Sequence, residues 1–305
     1  MKKVFITGAS GCVGHYLFDL LAQDPQYYLY LLVRNPNKLK FNPQLFPKVE
    51  IIQDDLKNIK NYQKLLSEIE YLIHLAADWG GHEGNYDYSL ALFESLNPEH
   101  LQKVIYFSTA SILDAYGKPL PEAEMYGTNY IQSKYRFYQK LPELKIFPKV
   151  ITLFPTWVLG GDQLHPYSHA LQGILELRPW FWLIRFFTAE AHFHFIHAQD
   201  LASITKHLLE NETTEKNFIL GNPAVSASQF IREVCHFYRL KVYFQIPITP
   251  SLIRTLAFLL RKKLHPWDLY CLKRKNFTYP VVDASTFGIN SRFKTIEEIL
   301  QALSI

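Results

Sequence analysis

Short runs of consecutive apolar residues alternate with stretches of helical periodicity along the first half of the chain. Helices are predicted over His15–Leu21, Tyr62–Ile69, Tyr86–Leu96 and Tyr130–Leu141. Strands are predicted over Val4–Ile6, Tyr28–Val33, Val49–Gln53, Tyr71–Leu75, Lys103–Phe107 and Val150–Phe154. Such apolar strands, separated by helices, are typical of a parallel sheet that is covered on both faces. The pattern therefore predicts an α/β fold with a doubly wound parallel sheet.

The second half of the chain is less regular and is interrupted by prolines. Helices are predicted over Tyr167–Leu177, Ala198–Leu209, Ser226–Tyr238, Leu252–Arg261 and Thr295–Leu303, and short strands over Phe193–Ile196, Phe218–Leu220 and Val242–Ile246. We therefore expect residues 1–155 to form the main domain. Residues 156–305 are expected to form mainly a smaller C-terminal substrate lobe, from which some segments return to the main sheet.

Composition narrows the class of protein. The 305 residues are 48% hydrophobic and 20% charged, as in an ordinary globular domain. A net charge of +4, without a dense basic stripe, argues against a nucleic-acid partner. Three scattered cysteines indicate reduced thiols and a cytoplasmic location. No apolar run approaches the roughly 20 residues that span a bilayer, and the first one is too short for a signal peptide.

Two segments of the second half combine aromatic or apolar residues with cations. Arg178–Phe187 reads RPWFWLIRFF, which fits a substrate-pocket wall, a surface that touches lipid, or the core of the lobe. Leu252–Lys263 fits either an amphipathic helix at a membrane surface or a docked helix with a basic end. Peripheral membrane contact therefore stays open. His192, His194 and His197 lack acidic or cysteine partners, so no metal site is expected.

A glycine-rich turn, Thr7–Gly14 (TGASGCVG), joins the first strand to the first helix. Gly8 permits a sharp turn, Gly11 lets the backbone approach a phosphate, and Gly14 lets the helix pack closely on the sheet. Strand, glycine turn and helix together present N–H groups and a positive helix end to a pyrophosphate. The turn also contains Ser10, Cys12 and Val13, and Cys12 is expected to be an inert thiol. The alternative is an ordinary strand-to-helix loop.

Residues after the next strands bear on the choice of dinucleotide. No acid follows the second strand to bind the ribose of NAD; Arg34 and Lys38 stand there instead and could clamp a 2′-phosphate. NADP is therefore favoured over NAD, the alternative being a solvated basic loop. Asp55, next to Leu56, could accept from the adenine amino group or cap the following helix. Ala76 and Ala77, which follow the fourth strand, are small. Together with Leu75 they would let the backbone lie against the cofactor.

Tyr130 and Lys134 are four residues apart and so lie on one helical face. A nearby ammonium favours the phenolate, and we expect it to lower the pKa of the tyrosine enough for proton exchange at neutral pH. The fifth strand ends in Ser108 and Thr109, whose hydroxyls could bind a substrate oxygen or cap the loop.

These motifs together resemble the extended short-chain dehydrogenase/reductase superfamily, which includes epimerase/dehydratase-like, 3β-hydroxysteroid dehydrogenase-like and dihydroflavonol reductase-like enzymes. The matching stretches, in order, are TGASGCVG, HLAA (74–77), FSTAS (107–111), YIQSK (130–134), FPTWVLG (154–160), FIHAQDLA (195–202) and LGNP (220–223). The resemblance implies a Rossmann-like fold, an NAD(P)-dependent enzyme with a small-molecule substrate, and a homodimer formed through two helices of the main domain.

The resemblance also implies roles for individual residues. Tyr130 would be the catalytic acid/base, Lys134 would lower its pKa and hold the nicotinamide ribose, and Thr109 would take the position of the catalytic Ser/Thr. Asn85 matches the asparagine of the family's Asn-x-x-Gly-Thr motif, and Pro155 would border the nicotinamide. The candidate substrate residues are Asp78, Trp79, Ser111 and Trp157.

Three departures from the nucleotide-sugar enzymes bear on the substrate. The connection over Asp78–Gly84 is short, Phe154 replaces an arginine, and Arg34 replaces an acid. We therefore expect hydride transfer to or from a hydroxyl or carbonyl group of a hydrophobic substrate. The alternatives are a nucleotide-sugar epimerase or dehydratase, and a non-catalytic NADP-binding regulator or assembly factor.

Overall fold

Seven parallel strands form the central sheet in the computed structural model, which describes residues 1–77, 84–249, 251, 253 and 263–303. The strands are β1 (Lys2–Thr7), β2 (Tyr27–Leu32), β3 (Val49–Ile52), β4 (Tyr71–His74), β5 (Lys103–Phe107), β6 (Val150–Pro155) and β11 (Asn217–Leu220). Their order is β11-β6-β5-β4-β1-β2-β3. The predicted doubly wound α/β fold is confirmed, and β11 returns to this sheet from the second half of the chain.

Helices cover both faces of the sheet. Those of the main domain are α1 (Cys12–Leu21), α2 (Gln63–Glu68), α3 (Gly84–Glu94), α4 (Pro121–Tyr126) and α5 (Asn129–Lys140). Along β1, Val4 and Ile6 pack in one apolar cluster and Phe5 packs in another, because side chains alternate across a strand. The first cluster includes α1, and the second includes α3 and α5.

The second half adds further helices, of which α8 packs against α1 on the sheet. They are α6 (His169–Glu176), α7 (Phe181–Ile184), α8 (Ala198–Glu210), α9 (Ala227–Phe237), α10 (Pro266–Arg274) and α11 (Ile296–Gln301). The predicted helix Leu252–Arg261, apart from Ile253, and most of Leu252–Lys263 lie outside the described residues. Within the described part of the chain, no helix is long and apolar enough to cross a membrane.

The lobe strands are short, and two predictions for them are wrong. They are β7 (Trp157–Leu159), β8 (Phe187–Thr188), β9 (His192–Phe193), β10 (Phe195–His197), β12 (Val225–Ser226), β13 (Ile246–Pro247) and β14 (Asn276–Phe277). The predicted strand Phe193–Ile196 is divided between β9 and β10, which pair in different sheets. Of the predicted strand Val242–Ile246, only Ile246 is in a strand, β13, because among the described residues β13 pairs only with the two-residue β8.

The loop between β7 and α6 is fastened to α1 through a histidine. The Nδ1 atom of His165 lies 2.7 Å from an Asp162 oxygen, and its Nε2 atom lies 2.7 Å from an Asp19 oxygen. The Tyr16 ring stacks on the imidazole at 3.8 Å, and its hydroxyl donates to Asp162. Burial acts to lower the pKa of His165, but hydrogen bonds to the two carboxylates outweigh it and raise the pKa above the usual value.

Candidate active site

The glycine turn is shaped so that side chains are excluded from it. Gly8 has φ +81°, and a Cβ there would lie 2.7 Å from the Ala76 nitrogen. A Cβ on Gly14 would lie 2.4 Å from the Gly8 carbonyl oxygen. Gly11 caps α1 without a side-chain hydrogen bond and is exposed. The turn therefore leaves bare backbone at a helix N-terminus, which fits the pyrophosphate of a dinucleotide.

The other predicted residues of the turn differ in exposure. Ser10, Cys12 and Val13 are half-buried. Burial raises the pKa of Cys12 to about 12, with the negative charge of Asp162 adding to the effect, so the thiol stays protonated and unreactive at neutral pH.

A chain of buried polar side chains supports the neighbouring strand end. His74 lies with Nδ1 2.7 Å from the Thr7 hydroxyl oxygen and Nε2 2.8 Å from the Ser89 hydroxyl oxygen. The Ala76 N–H donates to the same Thr7 oxygen at 3.2 Å. Burial lowers the pKa of His74 well below its usual value, so the imidazole is neutral and structural. Leu75 and Ala76 are half-buried and Ala77 is exposed, as backbone lining a cleft requires.

Arg34 and Asp55 meet at the carboxyl edge of the outer strands. A guanidinium nitrogen of Arg34 lies 3.8 Å from a carboxylate oxygen of Asp55, and the arginine side chain is 73% exposed. Asp55 also accepts from the Lys57 N–H and so caps the 3₁₀ helix that begins at Leu56, which was the alternative to adenine binding. Lys38 is exposed on the turn Pro36–Lys38. The predicted adenosine-end cations are therefore accessible to solvent and ligand.

Three predicted catalytic side chains come together where β5 ends. Thr109 is hydrogen-bonded to Tyr130, which lies on α5, and its hydroxyl oxygen also accepts from the Ser111 N–H at 3.3 Å. Lys134, one turn along α5, is 1% exposed and donates from Nζ to the Phe107 carbonyl at 2.8 Å. Its Nζ also lies 4.8 Å from the centre of the Tyr106 ring, a contact that the sequence does not reveal.

The expected direction of the Tyr130 pKa shift is wrong for this structure. Burial raises the pKa of Tyr130 to about 12, and the hydrogen bond from Thr109 offsets only part of that rise. Burial also lowers the pKa of Lys134 to about 7, so much of its positive charge is lost at neutral pH. The Nζ atom is held by the Phe107 carbonyl. Desolvation therefore outweighs the attraction between ammonium and phenolate that the spacing suggested.

The remaining predicted residues are distributed around this centre. Ser108 is buried beside Tyr106, with which its side chain hydrogen-bonds. Asn85 is buried at the start of α3, and Pro155 is buried at the end of β6. Trp157 lies in the lobe, its ring 5.3 Å from that of Phe193. Asp78 and Trp79 lie outside the described residues.

Arg274, on α10, is a candidate that sequence reasoning missed. Its Nη1 atom donates to the Leu113 carbonyl at 3.0 Å, and its guanidinium also hydrogen-bonds to the side chains of Tyr270 and Tyr279. The guanidinium lies over Phe277 and Tyr279, at 4.9 and 5.5 Å from the ring centres. Tyr279 and Tyr130 border the same apolar cluster. Arg274 thus brings a cation from the lobe to the catalytic side, and no nearby motif marks it.

The three histidines of the lobe have other partners. The Nδ1 atom of His194 lies 2.7 Å from the Asn222 carbonyl oxygen, and that of His192 lies 3.1 Å from the Asn276 amide oxygen. His197 stacks on the Phe293 ring at 3.6 Å. In the described ranges, no group of three or more His, Cys, Asp or Glu residues is placed to hold a metal ion.

A family model, the NAD dependent epimerase/dehydratase family, matches residues 4–221. No curated protein sequence shows a significant match. The match includes the glycine turn, the β5 end and the Tyr130–Lys134 pair, and therefore every described catalytic candidate except Arg274.

Solved structures show the same fold over nearly the whole chain. Gox2253 has a TM-score of 0.73 at 18% identity, covering 99% of this chain and 97% of its own. UDP-glucuronic acid 4-epimerase from Bacillus cereus, solved with UDP-glucuronic acid and NAD, has a TM-score of 0.69 at 18% identity, covering 99% and 97%. UDP-N-acetylglucosamine 4-epimerase from Methanobrevibacter ruminantium has a TM-score of 0.68 at 17% identity, covering 99% and 96%.

Proposed function

The chain belongs to the NAD dependent epimerase/dehydratase family, and on that premise we propose that it moves a hydride between a nicotinamide dinucleotide and a substrate carbon that bears a hydroxyl or carbonyl oxygen. The observation that supports this most is the meeting of Tyr130, Thr109 and Lys134 at the end of β5. This is the same sheet edge at which the bare glycine turn lies.

Each side chain has a defined task in this proposal. Thr109 and Tyr130 hold the substrate oxygen, and the Tyr130 hydroxyl gives or takes its proton. Lys134, held by the Phe107 carbonyl, donates to ribose hydroxyls, and its protonated form favours the phenolate of Tyr130. The glycine turn binds the pyrophosphate through backbone N–H groups. When bound, the nicotinamide supplies or accepts the hydride.

We propose NADP as the preferred dinucleotide. Arg34 is exposed and its guanidinium presents parallel donors that suit a phosphate. Asp55 sits 3.8 Å away, so a 2′-phosphate would compete with that carboxylate for the arginine. The structure of the Bacillus cereus epimerase contains NAD, which makes NAD the alternative.

Two substrate classes are supported by different observations. A nucleotide-linked sugar suits the family and the half-buried Arg274 guanidinium beside Tyr270 and Tyr279, because a guanidinium can bind a phosphate oxygen or a carbonyl. A hydrophobic ketone or alcohol suits the aromatic cluster beside Tyr130, which includes Trp267, Tyr270 and Tyr279. We propose the nucleotide-linked sugar first, since only it uses Arg274.

Binding and turnover of two tyrosine variants test the reaction. Tyr130→Phe should keep its thermal shift with NADPH but lose turnover by at least ~100-fold, because only the proton-exchanging hydroxyl is removed. Tyr135→Phe, on the same helix, is the matched control and should turn over like the parent. Unchanged turnover in Tyr130→Phe, or no binding of either NADPH or NADH by the parent, contradicts the proposal.

A ligand panel distinguishes the substrate classes. UDP-sugars should raise the melting temperature of the NADPH-loaded protein, and Arg274→Met should abolish that rise. Lys273→Met, an exposed neighbour, should not. A rise with steroid-like or flavonoid-like ketones that Arg274→Met leaves intact supports the hydrophobic class instead.

A further inference from the structure

Six large side chains form an exposed aromatic face on the C-terminal lobe. They are Trp180, Trp182, Leu183, Tyr243, Phe244 and Ile246. Trp180 and Trp182 are each 57% exposed and Tyr243 is 75% exposed. Single exposed apolar residues are ordinary on protein surfaces, but a concentration of them in two short segments marks an interaction surface.

Hydrogen bonds join the two segments of the aromatic face. The Ile246 N–H donates to the Phe186 carbonyl at 2.8 Å, and β13 pairs with β8. Arg185 donates from Nη1 to the Lys241 carbonyl at 3.2 Å, and the Phe186 and Phe244 rings lie 5.2 Å apart. These contacts hold the two segments next to each other.

The two tryptophans of this face are not needed to fill the lobe core. Phe181, between them in sequence, is 2% exposed and packs in the lobe cluster. Trp180 and Trp182, on either side of it in the sequence, are each more than half exposed. Arg178–Phe187 was expected to form a pocket wall, a lipid-contacting surface or part of the lobe core. Phe181 belongs to the core, whereas the two tryptophans are available for contact with another molecule.

The charges on the two segments have one sign. Arg178 and Arg185 lie in residues 177–189, Arg239 and Lys241 lie in residues 239–249, and neither segment contains Asp or Glu. The carboxylates that flank the first segment are Glu176, which is exposed, and Glu190, which is paired with Lys275 at 2.6 Å. Tryptophan and tyrosine favour the boundary between water and hydrocarbon, and arginine and lysine are attracted to anionic headgroups.

We propose that the aromatic face binds the surface of an anionic phospholipid bilayer, with the tryptophans at the headgroup level and the cations against lipid phosphates. A second copy of the chain fits less well, because a two-fold contact would set these cations against each other, and neither segment contains an acid to pair with them. The contact is peripheral and is independent of the reaction proposed above.

Vesicle sedimentation of the full chain tests the proposal. The protein should sediment with vesicles of phosphatidylcholine and phosphatidylglycerol but not of phosphatidylcholine alone. Raising salt from about 0.1 M to about 0.5 M should weaken the binding, since it screens the charges. Tryptophan emission should shift to shorter wavelength on binding. Equal binding to both vesicle types, or to neither, overturns the proposal.

Paired variants assign the binding to this face. Trp180→Ser with Trp182→Ser, and separately Arg178→Glu with Lys241→Glu, should each weaken vesicle binding at least ~10-fold while the melting temperature and NADPH shift stay as in the parent. The controls are Leu45→Ser with Tyr116→Ser, and Lys60→Glu with Lys64→Glu, which make the same kinds of change on exposed sites of the main domain. If either double variant of the aromatic face binds vesicles as the parent does, the proposal that this face binds lipid is wrong. It is also wrong if such a variant instead abolishes a concentration-dependent dimer.

Discussion

The catalytic edge of the main domain and the aromatic face of the lobe are built in opposite ways. At the catalytic edge, long parallel strands fix buried side chains: Lys134 is 1% exposed and bonded to a β5 carbonyl. On the aromatic face, two-residue strands and the loops beside them carry exposed side chains, among them Ile246 at 50% and Tyr243 at 75%. The difference teaches that the sheet fixes the position of the predicted catalytic residues, whereas the lobe leaves large apolar side chains exposed.

Adding one methyl group to each region should separate them most sharply. Gly14→Ala would force a Cβ to within 2.4 Å of the Gly8 carbonyl oxygen, so the glycine turn must move. We expect a loss of about 3 kcal/mol in the free energy of unfolding, measured by urea denaturation. NADPH binding should be lost with it, because the displaced backbone no longer meets the pyrophosphate.

Gly173→Ala in the lobe is the matched control. It lies inside α6 and a Cβ there meets nothing within 4 Å. The substitution should stabilise the protein by roughly 0.5 kcal/mol, because alanine loses less backbone entropy in a helix. Equal destabilisation by both changes would remove the contrast between sheet edge and lobe.

Lys134→Met tests whether burying the positive charge of Lys134 lowers the stability of the folded protein. Turnover should fall at least ~100-fold. Because the folded-state pKa is about 7 and the unfolded value is near 10.5, the unfolded chain binds more protons between these values. Parent stability therefore rises with pH in that window, by about 2 kcal/mol from pH 7 to pH 9 relative to the variant. Lys140→Met, on the surface end of α5, should show no such trend, and a flat parent profile would contradict the burial argument.

Arg34→Ala tests whether the exposed guanidinium at the sheet edge distinguishes NADPH from NADH. Loss of the guanidinium should weaken NADPH binding ~10-fold and leave NADH binding unchanged, as isothermal calorimetry can measure. Lys64→Ala removes a cation elsewhere on the main domain and serves as the control. A parallel loss for both dinucleotides would mean that Arg34 does not distinguish the 2′-phosphate.

His165→Gln tests the tie between the β7–α6 loop and α1. Because the folded-state pKa of His165 is raised, its contribution is fully present below about pH 6.5 and is lost as pH rises through the folded pKa. The variant should be less stable than the parent by about 1 kcal/mol at pH 6, a small effect because half-exposed Asp19 is screened by solvent. At pH 8, where the imidazole of the parent has lost its charge, the difference should be smaller. A difference that stays constant with pH would contradict an ionic contribution. His236→Gln, at a surface contact with Glu297, is the control.

The main domain was predictable because its signals are local and repeated. Lys103–Phe107 was predicted with the bounds of β5, and Tyr130–Leu141 differs from α5 by one residue at each end. Buried parallel strands read as apolar runs whatever their partners, and the glycine turn follows the first of them.

The rest depends on contacts between distant segments, which a single sequence does not display. The predicted strand Val242–Ile246 failed because its length is set by β8, more than fifty residues away. Arg274 escaped notice because its relevance comes from reaching Leu113. The Tyr130 pKa was misjudged because spacing reports the nearby ammonium but not the desolvation of both groups.

The place of β11 beside β6 has a consequence for how the molecule is assembled. A chain that ended after residue 155 would lack β11, so β6 would become an unpaired edge strand. It would also lack α8, which packs against α1. Both halves of the sequence contribute strands to one sheet. We therefore expect them to unfold together in one cooperative transition and not as independent domains.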